Sequence, residues 1–192
     1  SLTGVCLVLT MILLYPFKVQ ELSPQFTQVL AQEPAPGYVF DGIQQLKAFH
    51  LYQKGFTYHE ASKQSFLEDG RDFQEGFIGL SMRSPLLVWM LGSLPNPGWL
   101  APCSWLLSGF CALATYLATC KLRGDPLLSL ASPAVFLALQ SYPQSNYWLL
   151  FQDLWATQFL ILAICALIFW PNSPLALIGL ALSFGVREFN GM

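Results

Sequence analysis

Charge is scarce in this sequence: only 10% of its 192 residues are Asp, Glu, Lys or Arg, while 54% are hydrophobic. An ordinary soluble domain carries about 25% charged residues. A soluble fold has no means of covering so much apolar surface, so the composition excludes one. An excess of positive charge is missing as well, and the net charge of −2 leaves neither a nucleic-acid footprint nor a polybasic surface anchor. The five cysteines, Cys6, Cys103, Cys111, Cys120 and Cys165, stand singly in apolar segments without CxxC or Cys/His spacing. They read as small core residues and imply neither a metal nor a disulfide framework. His50 and His59 have no metal-ligand spacing with Asp, Glu or Cys and read as solvated loop residues. No GxSxG, Walker or HExxH pattern occurs, and no internal repeat.

What charge there is gathers in one stretch. Of the 20 charged residues, 14 fall between Lys18 and Arg83. The intervals Arg83–Lys121, Asp125–Asp153 and Asp153–Arg187 hold none, and each has room for the roughly 20 apolar residues that cross a bilayer. The pattern predicts an all-α, polytopic transmembrane bundle with a large extracytoplasmic first loop bearing interfacial amphipathic helices.

Residues 1–17 read as the end of a first transmembrane helix, too short for a full span and without a signal-peptide cleavage site. Residues 18–97 form the polar loop, with turn-prone stretches at Glu33–Gly37 and Glu68–Asp72. Within it, Ile43, Leu46 and Phe49 recur at three-residue intervals, which predicts a short amphipathic helix opening at Asp41 and suited to the membrane interface. Ser84-Pro85 is an N-cap followed by proline at the first helical position, and it opens a segment, Leu86 to Leu94, that Pro95 and Pro97 close. Such a helix rises only about 15 Å, so it is interfacial or re-entrant.

Residues 98–192 supply about four transmembrane helices. The first runs from Gly98 to Cys120, with Trp99 and Trp105 near one end and Lys121 and Arg123 just past the other. The positive-inside rule puts those cations in the cytoplasm. Leu127 to Gln140 returns outward, Ser141 to Gln152 makes an aromatic-rich turn, Asp153 opens a span to Trp170, Pro171–Pro174 turns, and Leu175 to Val186 climbs out again. By this alternation the first loop, Asp153 and the Arg187-Glu188 pair share the extracytoplasmic face. The chain starts inside an apolar stretch without an initiator Met and stops just after a charged pair, so it is expected to be the N-terminal part of a longer membrane domain.

Three of these charged features are candidates for chemistry. Asp41 begins a helix with Gln44 three residues on, close to a capping box. Its other reading is a general base at the membrane surface, its carboxyl pKa raised by partial burial. Arg187 and Glu188 are adjacent, so on a helix they point about 100° apart and each needs a different partner. They either end the helix at the water interface or form a phosphate grip, the Arg187 fork taking phosphate bidentately with Glu188 or Asp153 orienting it. Asp153 is in the same position, an N-cap for its helix or a supporting acid.

The order of features, with Phe40-Asp41-Gly42-Ile43-Gln44-Gln45-Leu46, then Arg83-Ser84-Pro85-Leu86-Leu87, then paired spans, resembles the GT-C class of membrane glycosyltransferases. Asp153-Leu-Trp-Ala-Thr and Leu182-Ser-Phe-Gly-Val-Arg187-Glu188 are similar to bacterial polyprenyl-phosphate-dependent mannosyl- and arabinosyltransferases. The resemblance implies a polyprenyl-phosphate sugar donor, a glycan, lipid or protein acceptor, and a site on the extracytoplasmic side of the bacterial inner membrane. It also implies an essential aspartate in the first large loop, and Asp41 is the matching position. Asp41 would act as base on the acceptor hydroxyl, while Arg187 and Glu188 would hold the departing phosphate. Ser84-Pro85-Leu86 departs from the double proline more usual in that class, and no acidic pair marks a divalent-metal site. Two other classes stay open on the residues alone, a transporter or flippase and a non-catalytic membrane subunit.

Overall fold

The computed structural model describes residues 2–14, 41–68, 86–94, 99–145 and 152–186, and among these every regular element is helical. In chain order they are α1 (Leu2–Leu14), α2 (Asp41–Gln53), α3 (Tyr58–Glu68), α4 (Leu86–Leu91), α5 (Leu100–Arg123), a 3-10 turn at Leu128–Leu130, α6 (Ala131–Ser145), α7 (Gln152–Phe169) and α8 (Leu175–Val186). The all-α expectation therefore holds for the described residues. One helical stretch among them, Pro102–Arg123, is long and apolar enough to cross a membrane, and four shorter apolar helices accompany it.

Boundaries follow local chemistry. Helix α5 begins two residues later than expected and runs one turn further, because Lys121, Leu122 and Arg123 are good helix formers. It stops at Gly124, whose φ of 74° closes the helix through its N–H to the Cys120 carbonyl. Asp125 then starts the next element, its carboxylate accepting the Leu127 and Leu128 N–H groups at 2.8 and 3.2 Å. Helix α4 is six residues rather than the expected longer segment and ends in a turn from the Leu94 N–H to the Leu91 carbonyl. Gly92 ends the helix readily, and Pro95 disfavours helical backbone at Leu94. Helix α6 continues to Ser145, so the expected Ser141–Gln152 turn is shorter. Pro143 falls in the last turn, where it ends a helix rather than preventing it. The turn after α7 is as expected, with Ser173 N–H bonded to the Trp170 carbonyl at 2.9 Å and Leu175 N–H to the Ser173 hydroxyl.

Cross-helix contacts set the direction of each helix. Thr119 donates to Ser132 at 3.1 Å, making α5 and α6 an antiparallel pair. Trp105 donates to the Ile12 carbonyl at 3.0 Å while Gly4 lies against the Tyr116 hydroxyl, so α1 is antiparallel to α5. Gln158 meets Ser108 and Lys121 meets the Ile168 carbonyl, so α7 runs parallel to α5. Helix α8 returns along α7, with the Ser183 hydroxyl on the Ala156 carbonyl at 2.8 Å. The up-and-down order expected from the apolar runs is thus the observed order. One end of the bundle carries the start of α5, the start of α7 and the end of α8. The other carries Lys121, Arg123, Asp125 and the Pro171–Pro174 turn.

Glycine lets α7 and α8 approach closely: a Cβ on Gly179 would stand 2.9 Å from the Ala163 Cβ, with Ala163 backbone just behind it. Gly179→Leu is expected to push the pair apart and cost about 1–3 kcal/mol. Thermal unfolding in detergent micelles checks this, with Ile178→Leu, on the exposed face, leaving the midpoint unchanged.

Candidate functional site

The end of the bundle that adjoins the charged segments is closed by a single apolar cluster. Phe49 from α2, Val88 and Leu91 from α4, Leu154, Trp155 and Ala156 from α7, and Val186 from α8 are buried together. Leu154 directly follows Asp153, and Val186 directly precedes Arg187. Phe49 is eight residues beyond Asp41, about 12 Å along the helix. Four segments far apart in sequence therefore meet at one place, and each leads within a few residues or two helical turns to a charged residue named above.

Local chemistry sets this assembly. Helix α2 ends in a Schellman motif in which Gly55, at φ 98°, donates to the Tyr52 carbonyl at 3.0 Å and Phe56 to the Leu51 carbonyl at 3.2 Å. Helix α3 opens with a reciprocal capping box. Thr57 N–H and Thr57 hydroxyl donate to the Glu60 carboxylate at 3.0 and 2.8 Å, and Glu60 N–H donates back to the Thr57 hydroxyl at 3.3 Å. The backbone and hydroxyl donors of Thr57 hold the Glu60 carboxyl below its ordinary pKa. The two helices pack through Ala48, Leu51 and Ala61. Helix α4 is pinned to α2 from two sides: Gln53 donates to the Leu94 carbonyl at 2.9 Å, and Gly92 leaves room only for the ring of Tyr52. Leu86 of α4 fills the space over Gly185 of α8, where a Cβ would come within 2.7 Å.

Asp41 is the first residue of α2 and Asp153 the second of α7; their side chains lie outside what the structure describes, as do Arg187 and Glu188 altogether. The structure brings together the opening of α7 just past Asp153, the end of α8 before Arg187 and the Phe49 end of α2, the end of that helix opposite Asp41. Among the described residues, no three of His, Cys, Asp and Glu group closely enough to hold a metal ion.

Two sequence expectations change here. His50 is not a solvated loop residue: it lies in α2, half-buried, and its Nε2 is buried with no hydrogen-bond partner. Burial, and secondarily the charge of Lys54, hold its pKa below the ordinary 6.5. His59 lies on α3 rather than in a loop, and is exposed. The second difference traces to α3, whose signal was present in the sequence as Thr57-x-x-Glu60. Also unforeseen was Gln158, fully buried in α7 with its Nε2 donating to the Ser108 hydroxyl at 2.7 Å. The polar pair Thr157-Gln158 within the otherwise apolar run from Leu154 to Trp170 was its signal.

The histidine gives a pH prediction. A folded-state pKa below the unfolded one means that protonation favours the unfolded segment, so the stability is present above pH 6.5 and lost as pH falls through the depressed value. His50 should titrate below 6.5 by NMR. His50→Leu should remove that part of the loss in thermal stability that occurs on acidification from about pH 7 to 5.

No protein-family model, no curated protein and no solved structure matches this chain.

Proposed function

We propose that the chain is a polytopic membrane glycosyltransferase that moves a sugar from a polyprenyl-phosphate donor to an acceptor hydroxyl, with its site at the bundle end closed by the Phe49–Trp155–Val186 cluster. The observation that carries this reading is that convergence. It gathers the Phe49 end of the helix that begins at Asp41, the opening of α7 beside Asp153 and the α8 end before Arg187, which supports a site at that end of the bundle for a lipid phosphate.

The membrane part of the proposal is supported by what the helices expose. Leu106, Phe110 and Leu117 on α5, Val135 and Leu139 on α6, Leu160, Ile164 and Leu167 on α7, and Leu177, Ile178 and Phe184 on α8 are all exposed large apolar side chains. So much exposed hydrocarbon is stable against lipid, not against water. Exposed Trp89 and Trp99 stand at the candidate-site end and exposed Trp170 at the other, where indoles favour the two membrane–water interfaces. Inside, the contacts between helices use small and hydroxyl-bearing residues, Ser104, Ser108, Ala112, Ala163, Gly179 and Ser183, as transmembrane packing does. Lys121 and Arg123 at the far end place it in the cytoplasm by the positive-inside rule, which leaves the candidate site extracytoplasmic.

In the transfer itself, the acceptor hydroxyl attacks the anomeric carbon as the bond from that carbon to the lipid phosphate oxygen breaks. Asp41 takes the hydroxyl proton, and Arg187, oriented by Glu188 or Asp153, binds the polyprenyl phosphate that leaves. The opening turn of α7 adds the partial positive charge of a helix N-terminus at the same end.

Asp41→Asn should reduce sugar transfer by at least about a hundredfold in proteoliposomes supplied with a polyprenyl-phosphate sugar, without changing expression or the unfolding midpoint. Full activity in that variant removes Asp41 from the mechanism. Sidedness has its own test in a background without reactive cysteines. An impermeant thiol reagent should label Glu60→Cys in intact cells and Arg123→Cys only after permeabilisation, and equal labelling of the two would refute the orientation.

A further inference from the structure

Gln158 sits at a position where the bundle has no obvious use for an amide. Its side chain is fully buried between apolar helices. Its Nε2 is bonded to Ser108, itself fully buried, while its Oε1 is buried with no hydrogen-bond partner. Removing a polar atom from water without a partner is unfavourable, and a well-packed apolar residue at such a place is generally at least as stable. Stability therefore does not account for Gln158.

Geometry does. The α5 face turned to α7 is built of small residues, with Ser104, Ser108, Cys111 and Ala112 all buried. A smooth face of this kind resists sliding and rotation weakly, because neighbouring registers bury similar surface. Two polar links fix one register: Gln158 Nε2 to Ser108 at 2.7 Å, and the Cys111 thiol to the Gln158 carbonyl at 3.4 Å. A third, Ser183 to the Ala156 carbonyl at 2.8 Å, holds α8 to the same turn of α7. All three attach within the first seven residues of α7, directly behind Leu154, Trp155 and Ala156 of the closing cluster. A slip of one residue would turn the opening of α7 by about 100° and shift it by about 1.5 Å, carrying Asp153 away from the ends of α2 and α8.

We infer that Gln158 is a positioning residue: with Ser108 it locks the register and rotation of α7 on α5, and so fixes where Asp153 stands relative to the sugar-phosphate site. This rests on the glycosyltransferase reading for what Asp153 does, but the lock itself is open to measurement without it.

The test uses the whole protein in lipid nanodiscs. Spin labels on exposed Leu106 of α5 and Thr157 of α7 should give one narrow distance distribution, which Ser108→Ala and Gln158→Leu each broaden or shift. The unfolding midpoint should not fall in Gln158→Leu, whereas Ser108→Ala leaves the buried Gln158 Nε2 without its acceptor and should lower it. The turnover number for transfer from a polyprenyl-phosphate sugar should fall on the order of tenfold to a hundredfold, with the donor KM changed far less. The double variant should lose no more than either single one. An unchanged spin-label distance in both variants overturns the lock. A broadened distance with unaltered turnover, or losses that simply add in the double variant, overturns the positioning role. An unmodified protein that transfers no sugar but shows the narrow distribution and its broadening would retain the lock and reject the glycosyltransferase reading.

Discussion

The close return of α8 along α7 is the contact on which the rest of the arrangement depends. Ser173 and Pro174 start α8 within a few residues of the end of α7, and Gly179 against Ala163 lets the two backbones approach without a side chain between them. From there the register is fixed: Ser183 reaches the Ala156 carbonyl, and Val186 arrives beside Leu154. The cluster formed there offers the only described surface where α2, α4, α7 and α8 all meet. The outlying helices α2 and α4 are thereby given a docking place on the bundle, with Gln53, Gly92 and Leu86 fitting them to it.

Polarity is distributed in a way that follows from an apolar exterior. Leu, Ile, Val and Phe face outward over α5 to α8; in the proposed lipid setting little hydrophobic gain would remain for helix association, and close packing with hydrogen bonds between helices would take its place. Hence the hydroxyls of Thr115 and Thr119 bond within their own helix at the Ala112 and Thr115 carbonyls. The same Thr119 hydroxyl also lies 3.1 Å from Ser132 on α6, sharing its proton between the two acceptors, and others cross between helices at Ser108–Gln158 and Ser183–Ala156. At the far end, Lys121 donates to the Ile168 carbonyl at 2.8 Å and lies 5.2 Å over the Phe169 ring. One cation thus satisfies the carbonyl end of α7 and sits where that end of the helix dipole favours positive charge.

Much of this was legible in the residues. Apolar run lengths and the Pro171 and Pro174 punctuation placed α5, α7 and α8 to within about a turn, because those signals are local and strong. Their alternating direction followed from short connections alone. Helix α2 was readable from Asp41, Ile43, Leu46 and Phe49, but its surroundings were not: periodicity says that Phe49 faces something apolar, not that the something is Trp155 and Val186. Helix α3 was missed because its mean character is polar, although the Thr57–Glu60 capping box announced its start. His50 was misread because burial of a side chain on an interfacial helix depends on its neighbours in space, which the residue pattern does not give. Gln158 and Ser183 escaped because one or two polar residues in an apolar run carry no period. Only the neighbouring helix shows what it bonds to. The charged residues Asp41, Asp153, Arg187 and Glu188 were named for their chemistry, and the described structure adds the meeting of the α7 opening after Asp153 with the α8 end before Arg187 and the Phe49 end of α2.

Under the proposed function, gathering the α2, α7 and α8 ends of the closing cluster suits a reaction at a lipid phosphate. The phosphate is confined to the bilayer surface, so a protein that acts on it must bring its base and its cation to one depth and one side, whatever their separation in sequence. An up-and-down bundle does that with helix ends, and small-residue contacts with a few buried hydrogen bonds keep those ends in register. The most direct measurement is photocrosslinking with a polyprenyl phosphate that carries its photoreactive group next to the phosphate. Peptides from the Asp41 helix and from the Arg187-Glu188 segment should both be labelled, and excess unmodified polyprenyl phosphate should suppress both together. Labelling confined to one of the two, or found at the opposite end around Asp125 and Asn172, would contradict the account.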